Sequence, residues 1–136
     1  MWPMRSSIRW LGLSAALVAL AGAAAAGATW ISTQQTVRIA RTISDGDPDR
    51  APELIRRYGC AGCHTIPGIP GADGQVGPPL SGLIHRIYIG GVATNSPERL
   101  AQWIVSPQQF SPHSAMPTTG ISETEARDVA AYLYSQ

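Results

Sequence analysis

The residues with the clearest chemistry are Cys60-Ala61-Gly62-Cys63-His64. Two thiols at this spacing can each bond to one of the two vinyl groups on one edge of a porphyrin. The histidine that follows then lies under the ring and offers its Nε2 to iron. C-x-x-C-H is the attachment signature of haem c. Ala61 and Gly62 are small enough for a tight turn against the ring edge. Two other chemistries use the same residues. A thioredoxin-like dithiol needs a βαβ setting, and no strand pattern precedes Cys60. A zinc site would draw on Cys60, Cys63 and two of His64, His85 and His113, but those histidines lack the usual zinc-site spacing.

Haem c in electron carriers is commonly held by His and Met. The chain has three methionines. Met1 and Met4 precede a long apolar segment, which leaves Met116, in Ser114-Ala115-Met116-Pro117. Pro117 stiffens the loop just after it. A methionine in a proline-containing loop, with no helical face, is a poor candidate for core packing. His113 and His85 stand as rival ligands.

Three helices are predicted to frame these residues. The first runs roughly 50–58, capped by Asp47 or Asp49, with Pro52 in its first turn and Leu54, Ile55 and Tyr58 on its apolar face. The second is Pro97–Val105, with Ser96 as N-cap and Pro107 as its stop; Leu100, Trp103 and Ile104 form its buried side. The third is Glu123–Tyr134, opened by the capping box Ser122-x-x-Glu125. Between Gly59 and Gly82, 11 of 24 residues are Gly or Pro, which forbids helix or central strand there. A loop of that length in a small domain is functional or wrapped around something. Residues 84–92 read as extended.

The chain is 136 residues long, one small domain plus something more. Charged residues are 14% of it, against about 25% in an average soluble domain. No charge lies between Leu11 and Ile31, a stretch about as long as the roughly 20 residues a bilayer span requires. Arg5 and Arg9 before it place the N-terminus in the cytoplasm and the rest across the membrane. Residues 1–31 thus read as a signal anchor or as a signal peptide, with possible cleavage sites in the small-residue run Ala21–Ala28. Residues 32–44 form a polar tether able to continue the helix, and 45–136 the domain proper. That domain has six arginines, no lysine and nine acidic residues, a net charge of −3. It offers no basic face to a nucleic acid.

The sequence resembles the class I c-type cytochromes over essentially all of 45–136. The matching segments are C-A-G-C-H at 60–64, V-G-P-P-L at 76–80, P-E-R-L-A-Q-W-I at 97–104, A-M-P at 115–117 and A-A-Y-L at 130–133. In detail it is similar to the small domains tethered beside, or fused to, the copper-bearing subunit of haem–copper oxidases. The resemblance implies an all-α fold, about three helices and long loops around one covalent haem c, after the N-terminal membrane-spanning or signal helix. It implies that the Pro78 carbonyl receives the second ring N–H of His64 and that Leu80 packs on the haem face. Trp103, Arg86 and Tyr88 match positions that approach the haem propionates. The first and third helices would cross, Tyr132 or Leu133 against Leu54 or Tyr58.

Cys60, Cys63, His64, Pro78, Leu80, Arg86, Tyr88, Trp103 and Met116 are therefore the expected haem-binding residues, with His64 and Met116 on the metal. The expected activity is one-electron transfer rather than catalysis. A quinol-oxidising complex or soluble carrier would be the donor, and a terminal oxidase the acceptor. The expected location is the bacterial inner membrane, facing the periplasm, or the periplasm itself after cleavage. A labile sixth ligand would instead make the domain a haem-based sensor or enzyme. The lysine ring of animal-type cytochromes c is absent, so docking through such a ring is not expected.

Overall fold

A computed structural model describes residues 5–136, with side chains from Leu13 onward. Met1 and Met4 lie outside the described residues, as do the side chains of Arg5 and Arg9. The chain divides into two compact units, Met1–Gln35 and Thr36–Gln136.

Helix α1, Arg5–Ser44, supplies the first unit and opens the second. It carries no acidic residue in its first turn, and Leu13, Leu17, Val18, Leu20, Trp30 and Ile31 are exposed. Two of its hydroxyls bond to the helix backbone: Thr29 and Thr33 donate to the Ala26 and Thr29 carbonyls at 2.8 and 3.0 Å. Such satisfied hydroxyls suit a helix in an apolar medium. The segment Leu13–Ser44 is long and apolar enough to cross a membrane, a test that a signal sequence also passes. Near its end Ala40 and Ser44 are buried.

The second unit is helical, with long loops. The Asp47 carboxylate caps a 3-10 turn, Pro48–Arg50, by accepting the Asp49 N–H at 3.2 Å. The turn runs straight into α2, Ala51–Arg57, so the expected helix at 50–58 begins one residue later and Asp47 caps what precedes it. Left-handed Gly59, φ +72°, ends this stretch. The region predicted to be extended divides in two: a 3-10 turn at Leu83–His85, then a short hairpin. Its strands are β1, Tyr88–Ile89, and β2, Ala93–Thr94, antiparallel with Ile89 opposite Ala93. Gly90 and Gly91, both at positive φ, supply the bend.

Helix α3, Pro97–Val105, and helix α4, Glu123–Tyr134, have the bounds read from the sequence. Ser96 accepts the Arg99 N–H at 3.3 Å. The box at the start of α4 is closed both ways: Glu125 N–H to Ser122 Oγ at 3.3 Å, and Ser122 N–H to Glu125 Oε2 at 3.1 Å. Helix α4 is the element on which α2, α3 and the 48–50 turn all pack. Leu54, Ile55, Leu100, Ile104, Val129 and Leu133 share one core. Buried Asp128 on α4 accepts the Asp47 N–H at 2.7 Å and pairs with Arg50 at 3.0 Å, tying α4 to the turn before α2. Tyr58 reaches α4 through Glu125, whereas Tyr132 bonds the Pro67 carbonyl and so pins the long loop.

Candidate functional site

The Cys60–Gly62 segment is a 3-10 turn, and Cys63 and His64 N–H groups both return to the Cys60 carbonyl, at 3.2 and 3.0 Å. This brings Cys60, Cys63 and His64 close to one another around a single turn. Residues 74–80 then run beside 61–65. Gly74 N–H bonds to Ala61 O at 3.3 Å, Gly77 N–H to Cys63 O at 2.8 Å, and Leu80 N–H to Thr65 O at 2.9 Å. Gly77 passes so close to the His64 ring that a Cβ there would overlap its imidazole atoms. Only a glycine permits that approach.

His64 Nδ1 lies 2.8 Å from the Pro78 carbonyl oxygen. A carbonyl can only accept, so Nδ1 carries the proton and the Nε2 lone pair is left for a metal. That is the usual arrangement of a ligating histidine, whose second-nitrogen bond fixes the tautomer and raises basicity.

These residues open onto a cavity of about 390 Å³, within the roughly 300–1,000 Å³ of small-molecule and cofactor sites. Every one of the nine residues expected from the sequence lines it: Cys60, Cys63, His64, Pro78, Leu80, Arg86, Tyr88, Trp103 and Met116. They come from the 60–64 turn, the 76–80 segment, the hairpin, α3 and the loop before α4. The two rival ligands, His85 and His113, are exposed and do not line it. Ile55, Leu83, Leu100, Ile104, Val129 and Leu133 supply apolar wall. The donor set, the apolar wall and the free Nε2 fit covalent haem c.

Arg86, Tyr88 and Trp103 differ in how they are held. Arg86 is half-buried, and its Nη2 donates to the Pro79 carbonyl and to Ser81 O at 3.2 Å. It therefore braces the chain immediately after Pro78, a role not foreseen for it. Tyr88 is 55% exposed and stands at the rim. Trp103 packs against Gly90, where a Cβ would strike the indole, and lies 6.1 Å from Phe110, ring centre to ring centre.

Burial pushes the Cys60 thiol up from its ordinary pKa. Reactive C-x-x-C dithiols have the opposite shift, towards thiolate. Among the described residues no cluster of three or more His, Cys, Asp or Glu could hold a metal ion.

Sequence reasoning missed two residues. Asn95 Nδ2 donates to Leu83 and Arg86 carbonyls at 2.8 and 2.9 Å, and its Oδ1 accepts from Tyr134 at 2.6 Å. Gln108 bonds the loop that carries Met116. Each donates to backbone carbonyls and accepts from a distant hydroxyl, and no spacing rule in the sequence marks them.

Comparison with protein families matches residues 48–136 to one family, Cytochrome c. No curated protein and no solved structure matched the chain. The matched span is most of the chain and contains the whole cavity. The chain belongs to the cytochrome c family: it is a class I c-type cytochrome, an electron-transfer protein of a family that carries covalent haem c.

Proposed function

We propose that this haem-based carrier holds one haem c through Cys60 and Cys63 thioethers, with His64 and Met116 as axial ligands, and passes single electrons to or within a terminal oxidase chain. The observation that carries the ligand assignment is the shared cavity. His64, with its Nε2 freed by the Pro78 bond, and Met116 both line it, whereas His85 and His113 do not. When bound, haem c supplies the one-electron Fe(III)/Fe(II) couple.

The protein residues set the properties of that couple. Pro78 and Gly77 hold the His64 ring in one tautomer and one position. A thioether from Met116 favours the reduced state and raises the potential. The apolar wall excludes water and works in the same direction, because the oxidised centre carries one more positive charge. Arg86 and Trp103 line the cavity where charged ring substituents need a donor or cation, since burying a carboxylate without one costs several kcal/mol. Cys60 and Cys63 are half-buried and Val76 is 78% exposed, so electron exit is assigned to that edge.

Residues 1–31 deliver the domain across the membrane, and if retained keep it beside a neighbouring complex at raised effective concentration. The donor would be a quinol-oxidising complex or a soluble carrier, and the site a periplasmic membrane face. Carbon monoxide added to the reduced protein tests the filled coordination sphere. The visible spectrum is expected to stay unchanged; a shift to a ligand-bound form would favour a sensor or enzyme with a labile Met116.

A further inference from the structure

We propose that Gln108 is a positioning residue for the sixth ligand: its carboxamide clasps the chain on both sides of Pro117, by the Met116 carbonyl and the Thr118 hydroxyl, and so keeps the Met116 side chain at the cavity. The inference rests on the His64/Met116 reading above.

The Met116 loop, 111–121, contains no regular element between the turn at Pro107–Gln109 and the capping box of α4. Inside it, one turn closes the Ser114 N–H onto Ser111 O at 2.9 Å. Gln108 holds it from outside. Gln108 stands on the 3-10 turn that follows α3, and that turn is bolted down by fully buried Pro107. From there Gln108 Nε2 donates to the Met116 carbonyl at 2.7 Å, and Gln108 Oε1 accepts from the Thr118 hydroxyl at 2.8 Å. Because the Met116 carbonyl is an acceptor only, the amide can face it in one orientation, and both ends of the amide are then used. Ser114 adds a third hold by accepting the Met116 N–H at 3.2 Å.

The clasp has a chemical purpose. A thioether is a neutral, weak donor, easily displaced by an added nitrogen ligand. Its retention depends on how far the loop confines the sulfur, and partners that orient a ligand typically affect binding about 10–100-fold. Gln108 does not itself line the cavity; it acts through the Met116 carbonyl and the Thr118 hydroxyl.

The test uses full-length protein with haem attached. Ferric wild type, Gln108→Glu, Gln108→Ala and Thr118→Val are titrated with imidazole while the weak far-red sulfur-to-iron band is followed. Gln108→Glu keeps the size and the acceptor but loses the donor to Met116. Both Gln108 variants are expected to bind imidazole about tenfold tighter or more than wild type, with a weakened sulfur band and a lowered reduction potential. Thr118→Val, which removes only the far end of the clasp, is expected to move in the same direction by less, and it carries the test should the Gln108 variants fail to fold. Variants that lose thermal stability but keep wild-type imidazole affinity, band and potential would overturn the proposal. A wild type with an α-band and no sulfur band would overturn the Met116 assignment itself, and the clasp with it.

Discussion

Met116→Ala removes the thioether and nothing that attaches the haem, since Cys60 and Cys63 lie on a different turn. The variant should keep its covalent haem and its α-band, and its reduction potential should fall, as measured by spectroelectrochemical titration. An unchanged potential would sink the assignment. Residue by residue, legibility followed the kind of information each residue carries. Cys60, Cys63 and His64 were readable because a covalent attachment fixes their spacing along the chain. Met116 was singled out by elimination, there being few methionines, and the structure places it in the cavity lining. Gln108 and Asn95 were not readable, because they donate to main-chain carbonyls, which every residue possesses, and accept from hydroxyls that only the fold brings near. Arg86 was matched to a position near the haem propionates; the structure places it in the cavity lining, and its brace on the Pro79 and Ser81 carbonyls needed coordinates.

At the scale of elements, α4 carries most of the packing, so its ends should be sensitive. Ser122→Ala opens the capping box and should cost about 1 kcal/mol in denaturant unfolding. The Ser122 hydroxyl and N–H, with the Tyr58 hydroxyl, hold the Glu125 carboxyl below its usual range. That contribution is present above about pH 4.3 and is lost as pH falls through the lowered folded value.

At the other end of α4, burial and the Glu98 charge push the Tyr134 hydroxyl up to about 12. A raised folded value favours the native state below the unfolded value of about 10. Stability should therefore fall as pH rises from about 10 towards 12, and Tyr134→Phe should flatten that part of the stability profile. A profile identical to wild type would show that burial and the Glu98 charge do not raise the Tyr134 hydroxyl in solution. Helices α3 and α4 were legible to the residue because Ser-Pro, Pro107 and the capping box punctuate them. The 83–94 region was not. Its strands are two residues long, too short for any alternation, and the paired glycines at 90 and 91 were the one signal of a bend.

The whole molecule joins an apolar N-terminal segment to a haem domain that bears more acid than base. With no lysine and a domain charge of −3, association with a redox partner does not run through a ring of lysines. The exposed Val76 and Tyr88, both lining the cavity, leave its rim largely apolar instead. The domain's small size is offset by its cofactor: a chain this short with a single modest core gains from a large apolar ligand around which its loops can close. The central claim is covalent haem c with Met116 on iron. The most direct measurement is the visible spectrum of the exported protein, ferric and then ferrous. The account predicts a sharp c-type α-band on reduction and the weak far-red sulfur-to-iron band in the ferric form. An α-band without the sulfur band would contradict the Met116 assignment. No haem absorbance, from a host able to attach haem c, would contradict the account as a whole.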